Sequence, residues 1–397
     1  MKRLLIIILL VQFEYSEAMS NVTCVGDETY VAWPDSTNPV WEMCYLSPND
    51  SSYAEGSGLE IRYVHFNGYL AIERSHTPLV FANYTTNTCY RDWKDENSSF
   101  ISASGVDNPA QSAITTCDAS IDPNEPVFNC PFGLDGDCIT GVQVEKYDDR
   151  LVLTTNFAAA WYKYTGRYIF HADGRIQPRF GYANNNGTLA NVEHWHHSYW
   201  RINFDIDGML NDKVYIADQT GETEQTSEFS DFRELFNATN DTNTYNDEVT
   251  WVIKDSLTNR GYRVVAGQGG VSANGGIDDY DVATDESGAG YHEIDVMASR
   301  YKLFPNGMPE YGDVPTSSLS DCRMRYENIV GIPGSANNEP ESLVGEDVVF
   351  WYRGAINDVP ASQGGAPMLC KSSGPTFYPV GDWGLGDSDL IFESGFE

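Results

Sequence analysis

Glu193-His194-Trp195-His196-His197-Ser198-Tyr199-Trp200-Arg201-Ile202-Asn203-Phe204-Asp205-Ile206-Asp207-Gly208 carries the clearest structural pattern in the chain. From Ser198 onward it alternates, so a strand with side-chain period two puts Trp200, Ile202, Phe204 and Ile206 on one face. Arg201, Asn203, Asp205 and Asp207 fall on the other. The same parity carries His194 and His196 to the apolar face. Two imidazoles two residues apart on one strand face can converge on one point, which is what a transition metal needs from its first two nitrogen ligands. A third ligand has to come from elsewhere. His197 has the opposite parity and is expected at the surface or in a supporting role, and His292 is an outside candidate for the third ligand.

Working outward, short strand patterns recur and helical ones hardly occur. Gly58 to Phe66, the turn Asn67-Gly68 and Tyr69 to Ile72 read as a β-hairpin, because Asn-Gly suits the mirror-image turn that right-twisted strands need. Pro78 to Ala82, Gly141 to Glu145, Arg150 to Thr155, Trp161 to Phe170 and a turn at Asp173-Gly174 continue the pattern. Val249 to Ile253, Tyr262 to Val265 and Asp347 to Tyr352 follow. Residues 19–57 read as an irregular segment pinned by a disulfide, and 219–249 as an acidic insertion with one helix over Phe229 to Phe236. The fold class expected is all-β, a large antiparallel β-sandwich.

The chain has 397 residues, 41% hydrophobic and 13% aromatic, enough for a large core. Met1-Lys2-Arg3 followed by Leu4 to Val11 and Ser16-Glu17-Ala18 reads as a secretory signal over residues 1–18, too short an apolar run to span a bilayer. Secretion, to the medium or the periplasm, makes disulfides the default reading of eight cysteines, with pairing left open. A formal charge of −34 argues against nucleic acid and against anionic membrane surfaces as partners.

Four segments in order resemble the copper-containing amine oxidases. His194-x-His196, Arg201 seven residues after the first histidine, and the ending Asp205-Ile206-Asp207-Gly208 match that family's copper strand. Trp161-Tyr162-Lys163-Tyr164 aligns with its Asn-Tyr-Asp/Glu-Tyr motif, so the resemblance makes Tyr162 the precursor of topaquinone, with Trp161 and Lys163 departing from the pattern. Asp347 to Pro360 is similar to the segment that carries the third copper histidine, a position held here by Asp358. Two histidines and a carboxylate are a legitimate metal set, though one that favours harder ions more than three imidazoles do. Tyr90-Arg91-Asp92-Trp93-Lys94-Asp95, followed by Cys117-Asp118 and Ala119, is similar to the region of the catalytic base; the resemblance makes Asp95 the base, with Asp92 as competitor, and puts Trp93 in the place of the gating aromatic.

The resemblance also implies a peripheral calcium site from Asn203, the Phe204 carbonyl, Asp205, Asp347 and the Val348 carbonyl, with Asn203 standing where the family has an aspartate. It spans residues 56–375, so the domains expected are a signal (1–18), an N-terminal segment (19–57), a catalytic β-sandwich (58–375) and a tail (376–397). The implied activity is oxidative deamination of a small primary amine by oxygen to aldehyde, ammonia and hydrogen peroxide, with copper and topaquinone as cofactors and a homodimer as the assembly. The alternative is a catalytically degenerate relative that keeps the fold, and a metal, for binding or structure.

Overall fold

A computed structural model describes residues 22–47, 50–52, 58–84, 88–91, 142–159, 162–184, 194–218, 220–231, 250–265, 296–301, 340–358 and 371–384. Most of them lie in strands of two large antiparallel sheets. Along the chain, β1 (Thr29–Trp33), β2 (Trp41–Leu46), β3 (Glu60–Phe66), β4 (Tyr69–Tyr84) and β5 (Thr88–Arg91) build the first sheet. β6 (Val142–Lys146), β7 (Arg150–Ala159), β8 (Tyr162–His171) and β9 (Ile176–Asn184) then build the second. β10 (His194–Asn203) returns to the first, β11 (Asp212–Asp218) and β12 (Gly221–Gln225) belong to the second, and β13 (Phe229–Asp231) to the first. β14 (Thr250–Asp255) and β15 (Gly261–Val265) are in the second, β16 (Val296–Arg300) and β17 (Val348–Asp358) in the first, and β18 (Lys371–Ser373) and β19 (Thr376–Val380) in the second.

The first sheet runs β1-β2-β3-β4-β10-β17-β16-β13 and the second β12-β11-β14-β15-β19-β9-β8-β7-β6. β10 therefore lies in the middle of its sheet, flanked by β4 and β17. Trp200, Ile202, Phe204 and Ile206 enter the core between the sheets, as the alternation of the sequence requires. β10 stays in step with β17 throughout, but on the β4 side Tyr199 pairs with Leu79 and Arg201 with His76. The extra β4 residue falls at Thr77-Pro78, where proline has no N–H for the ladder, and a bulge accommodates it.

The sheets are also tied by polar groups: Trp33 Nε1 donates to the Tyr147 carbonyl and Trp41 Nε1 to the His171 carbonyl, both at 2.8 Å. The Ser75 and Tyr168 hydroxyls meet at 2.9 Å, joining β4 to β8. Asn67 and Gly68 take positive φ in the β3–β4 hairpin, as their turn type demands. At the β8–β9 turn Gly174 has φ +88°, and a Cβ there would come within 2.6 Å of Phe66. That turn is thus built against the hairpin of the other sheet.

Three expectations are corrected. Within the segment expected to be irregular, the described residues include two strands: Val31, Trp33, Trp41, Met43 and Tyr45 alternate into the core as β1 and β2, a pattern that the intervening prolines obscure in the sequence. The Cys24–Cys44 disulfide does pin this segment. Phe229-Ser230-Asp231 is a strand, not the start of a helix, and pairs with Val296 to Ala298 of β16. The preceding Glu228 explains the capture, since its carboxylate accepts the Arg300 and Glu341 N–H groups, both at 3.0 Å. The region expected to be an insertion also contains β12, which pairs with β11. His197 is 1% exposed, so it is on the outer face of β10 as expected but not at the surface.

Candidate metal and cofactor site

β10 and β17 pair without a shift from His194 opposite Asp358 to Asn203 opposite Val349. One register thus sets out both sites that the sequence suggests, one at each end of the same strand pair. At the first end, His194 and His196 are 3% and 0% exposed. Burial, reinforced by the neighbouring His194 and His197, holds the His196 pKa well below the ordinary imidazole value. A neutral ring is the form a metal binds.

The two imidazoles meet edge to face with centroids 4.8 Å apart. A metal ~2.0–2.1 Å from a ring nitrogen lies about 3.2 Å from the ring centre. Two rings on one ion with that 4.8 Å separation subtend roughly 100° at it, close to tetrahedral or square coordination. Both Nε2 atoms are shielded from solvent and make no hydrogen bond, while the rings themselves have other neighbours. The donor set therefore fits a transition metal.

The other sheet closes over this pair. Tyr164 of β8, fully buried, reaches across to His196, with its hydroxyl 2.8 Å from Nδ1. Its ring stacks on Phe180 of β9 with centroids 5.2 Å apart. The sequence-predicted Tyr162 lies two residues earlier on β8, its backbone paired with Ala159 and Asn184. Its side chain, with those of Lys163 and Asp358, lies outside the described ones. So do Trp161, the segment with Asp92, Trp93 and Asp95, Cys117, and His292. Among the described residues, the trio of His, Cys, Asp or Glu donors close enough to share an ion is Cys24, Glu28 and Cys44, whose cysteines are already joined as a disulfide.

At the other end of the strand pair, Asn203 ends β10, Phe204 and Asp205 follow, and Asp347 immediately precedes Val348, the first residue of β17. Asp205 turns out of the sheet with φ +46°. With its amide set to satisfy both neighbours, Asn203 donates to Asp347 Oδ1 at 3.0 Å and to the Val348 carbonyl at 3.1 Å. Burial, then the charge of Asp347, pushes the Asp205 pKa up to about 8. Burial raises Asp347 to about 6 against the pull of Arg201. Asp212, 3% exposed, stands beside them; it accepts the Ile206 N–H at 2.9 Å and is raised well above the usual carboxylate value, mainly by burial.

Asp205 Oδ1 and Asp212 Oδ1 are buried without a hydrogen bond. A hard cation suits such oxygens, and Asn203 can offer its oxygen only by turning its amide away from Asp347 and Val348. Sequence reasoning missed Asp212 and the partnership of Tyr164. Asp212 lies past a turn, outside the motif. Tyr164 is 32 residues from His196, in the other sheet, and no local spacing reports that contact.

No protein-family model matches the chain, and no curated protein does. Solved structures do. The Aspergillus nidulans amine oxidase aligns with a TM-score of 0.53 at 15% identity, over 95% of this chain and 55% of that one. A copper-containing benzylamine oxidase from Hansenula polymorpha aligns with a TM-score of 0.54 at 11% identity, over 92% and 63% respectively. The chain thus spans less than two thirds of the length of these structures. At such identities the likeness is one of fold, the amine oxidase β-sandwich, and function has to be argued from the site.

Proposed function

We propose that this chain is a secreted primary-amine oxidase that uses copper and topaquinone to convert a small primary amine, with oxygen, to aldehyde, ammonia and hydrogen peroxide. The observation that carries the reading is the register of β10 and β17, with His194 opposite Asp358, His196 two residues away, and the tyrosine-bearing β8 over them from the other sheet.

His194, His196 and Asp358 would hold copper, and Tyr162 would be the side chain converted to the quinone. Copper and topaquinone, when bound, supply the oxidising centre and the electron sink. Asp95, or its competitor Asp92, would accept the α-proton of the bound amine, a task for which a carboxylate raised toward neutrality is suited. Trp93 would flank the amine and limit access of water. The strongly acidic surface favours the approach of ammonium substrates. The second site, with Asp205 and Asp347 as anionic donors, would take calcium as a brace between β10 and β17.

The departures at Trp161, Lys163 and Asp358 favour a second reading, a catalytically inactive relative that keeps the sandwich. Reconstitution of the purified chain with copper under air separates the two. The oxidase reading expects a visible quinone absorption and a positive redox-cycling stain in the parent, and neither in Tyr162→Phe. Absence of both from the parent leaves the inactive relative.

A further inference from the structure

The Tyr164 to His196 contact does more than close the core. His196 has two ring nitrogens, and a metal can take only the one that carries no proton. Nδ1 lies 2.8 Å from the Tyr164 hydroxyl, so it is the nitrogen already committed to a protein partner. Nε2 is buried without a hydrogen bond. If Nδ1 donates its proton to the phenol oxygen, Nε2 is left as a bare lone pair. A phenol oxygen can accept that bond while its own proton is used elsewhere.

The ring of Tyr164 is held on its other side by Phe180, and its edge-to-face packing on His196, with centroids 5.6 Å apart, limits how far the imidazole can rotate. His194 packs on the same ring from within β10. The phenol, from the second sheet, and the histidine pair, from the first, are therefore aligned by the stacking of the sheets and not by sequence neighbours.

We propose that Tyr164 is a positioning residue that holds His196 as the Nδ1–H tautomer, with its Nε2 lone pair directed at the metal. This deepens the metal reading and rests on it for its purpose, but the tautomer can be read without any metal. Ligand-orienting partners of this kind typically change metal affinity by roughly 10–100-fold when removed.

Tyr168 provides the control. It lies on the same face of β8, is equally buried, and bonds its hydroxyl to Ser75 instead of a histidine. Tyr164→Phe and Tyr168→Phe each delete one buried phenol oxygen, so a merely structural role moves both alike. In metal-free protein with nitrogen-labelled histidine, NMR should show His196 with its proton on Nδ1 in the parent and in Tyr168→Phe. In Tyr164→Phe it should show a redistribution toward Nε2.

Copper affinity, measured by competition with a chelator, should fall about 10–100-fold in Tyr164→Phe and stay within about twofold of the parent in Tyr168→Phe, with a changed electron paramagnetic resonance spectrum only in the former. An Nε2–H tautomer in the parent, or equal effects of the two substitutions, overturns the proposal. A parent with the Nδ1–H tautomer that binds no copper upholds the positioning role and refutes the metal reading alone.

Discussion

Asn203→Asp should make the corner of the sandwich around Asp205 and Asp347 more dependent on a cation than it is in the parent. In the parent, the Asn203 amide donates to Asp347 Oδ1 at 3.0 Å and to the Val348 carbonyl at 3.1 Å. Aspartate removes both bonds, each contributing about 1 kcal/mol net, and adds a charge next to Asp205 and Asp347. In chelator the variant should be less stable than the parent by ~2–3 kcal/mol, a fall in melting temperature of about 4–6 °C at roughly 2 °C per kcal/mol. Calcium should reverse this. At 100 times its dissociation constant a ligand of the folded state contributes about 2.7 kcal/mol, which cancels the deficit. Differential scanning fluorimetry of both proteins in chelator and in millimolar calcium measures all four states. Equal melting of parent and variant in chelator, with no response of the variant to calcium, would refute the assignment of these oxygens to a cation site.

The same carboxylates give a pH dependence. Folding raises Asp205 to about 8 and Asp347 to about 6 from an ordinary value of 3.8, so the folded state holds protons that the unfolded chain has released. Stability in chelator should be highest below about pH 4 from these groups and decline as pH rises through 6 and 8; urea unfolding at several pH values checks it, and a rise over that window contradicts it. Calcium should flatten the decline. Replacing Cys24 and Cys44 by serine opens a loop with a sequence separation of 20 and should cost about 3 kcal/mol, read as a lower urea midpoint. Loss of β1 and β2 from the sheet, seen as increased amide exchange at Val31 and Met43, should accompany it.

What the sequence exposed and what it hid follow from the range of the interactions. The two-residue alternation of β10 and the Asn67-Gly68 turn are local, and both are found where the residues require them. The β1–β2 hairpin escaped because Pro34 and Pro39 and the polar residues between them draw the eye from Trp33 and Trp41, which pair directly. Phe229 to Asp231 has no strong periodicity; its pairing is imposed by β16 and by the two backbone N–H groups that Glu228 accepts. The carboxylate of Asp212 beside Asp205, and Tyr164 over His196, depend on how loops and sheets stack. That information is spread over the whole chain. The buried outer face of β10, with His197, Tyr199 and Arg201 at 1–2% exposure, likewise contradicts the simple rule that alternating polar residues face water.

The central claim is that β10 and β17 together hold a transition metal through His194, His196 and Asp358. Copper bound per chain, measured by elemental analysis after reconstitution and removal of loosely held ion, tests it most directly. The parent should retain about one copper, His196→Ala should retain almost none, and Asp358→His should hold it more tightly than the parent, since a third imidazole suits copper better than a carboxylate. Equal copper in the parent and in His196→Ala, or an Asp358→His variant indistinguishable from the parent, would contradict the account.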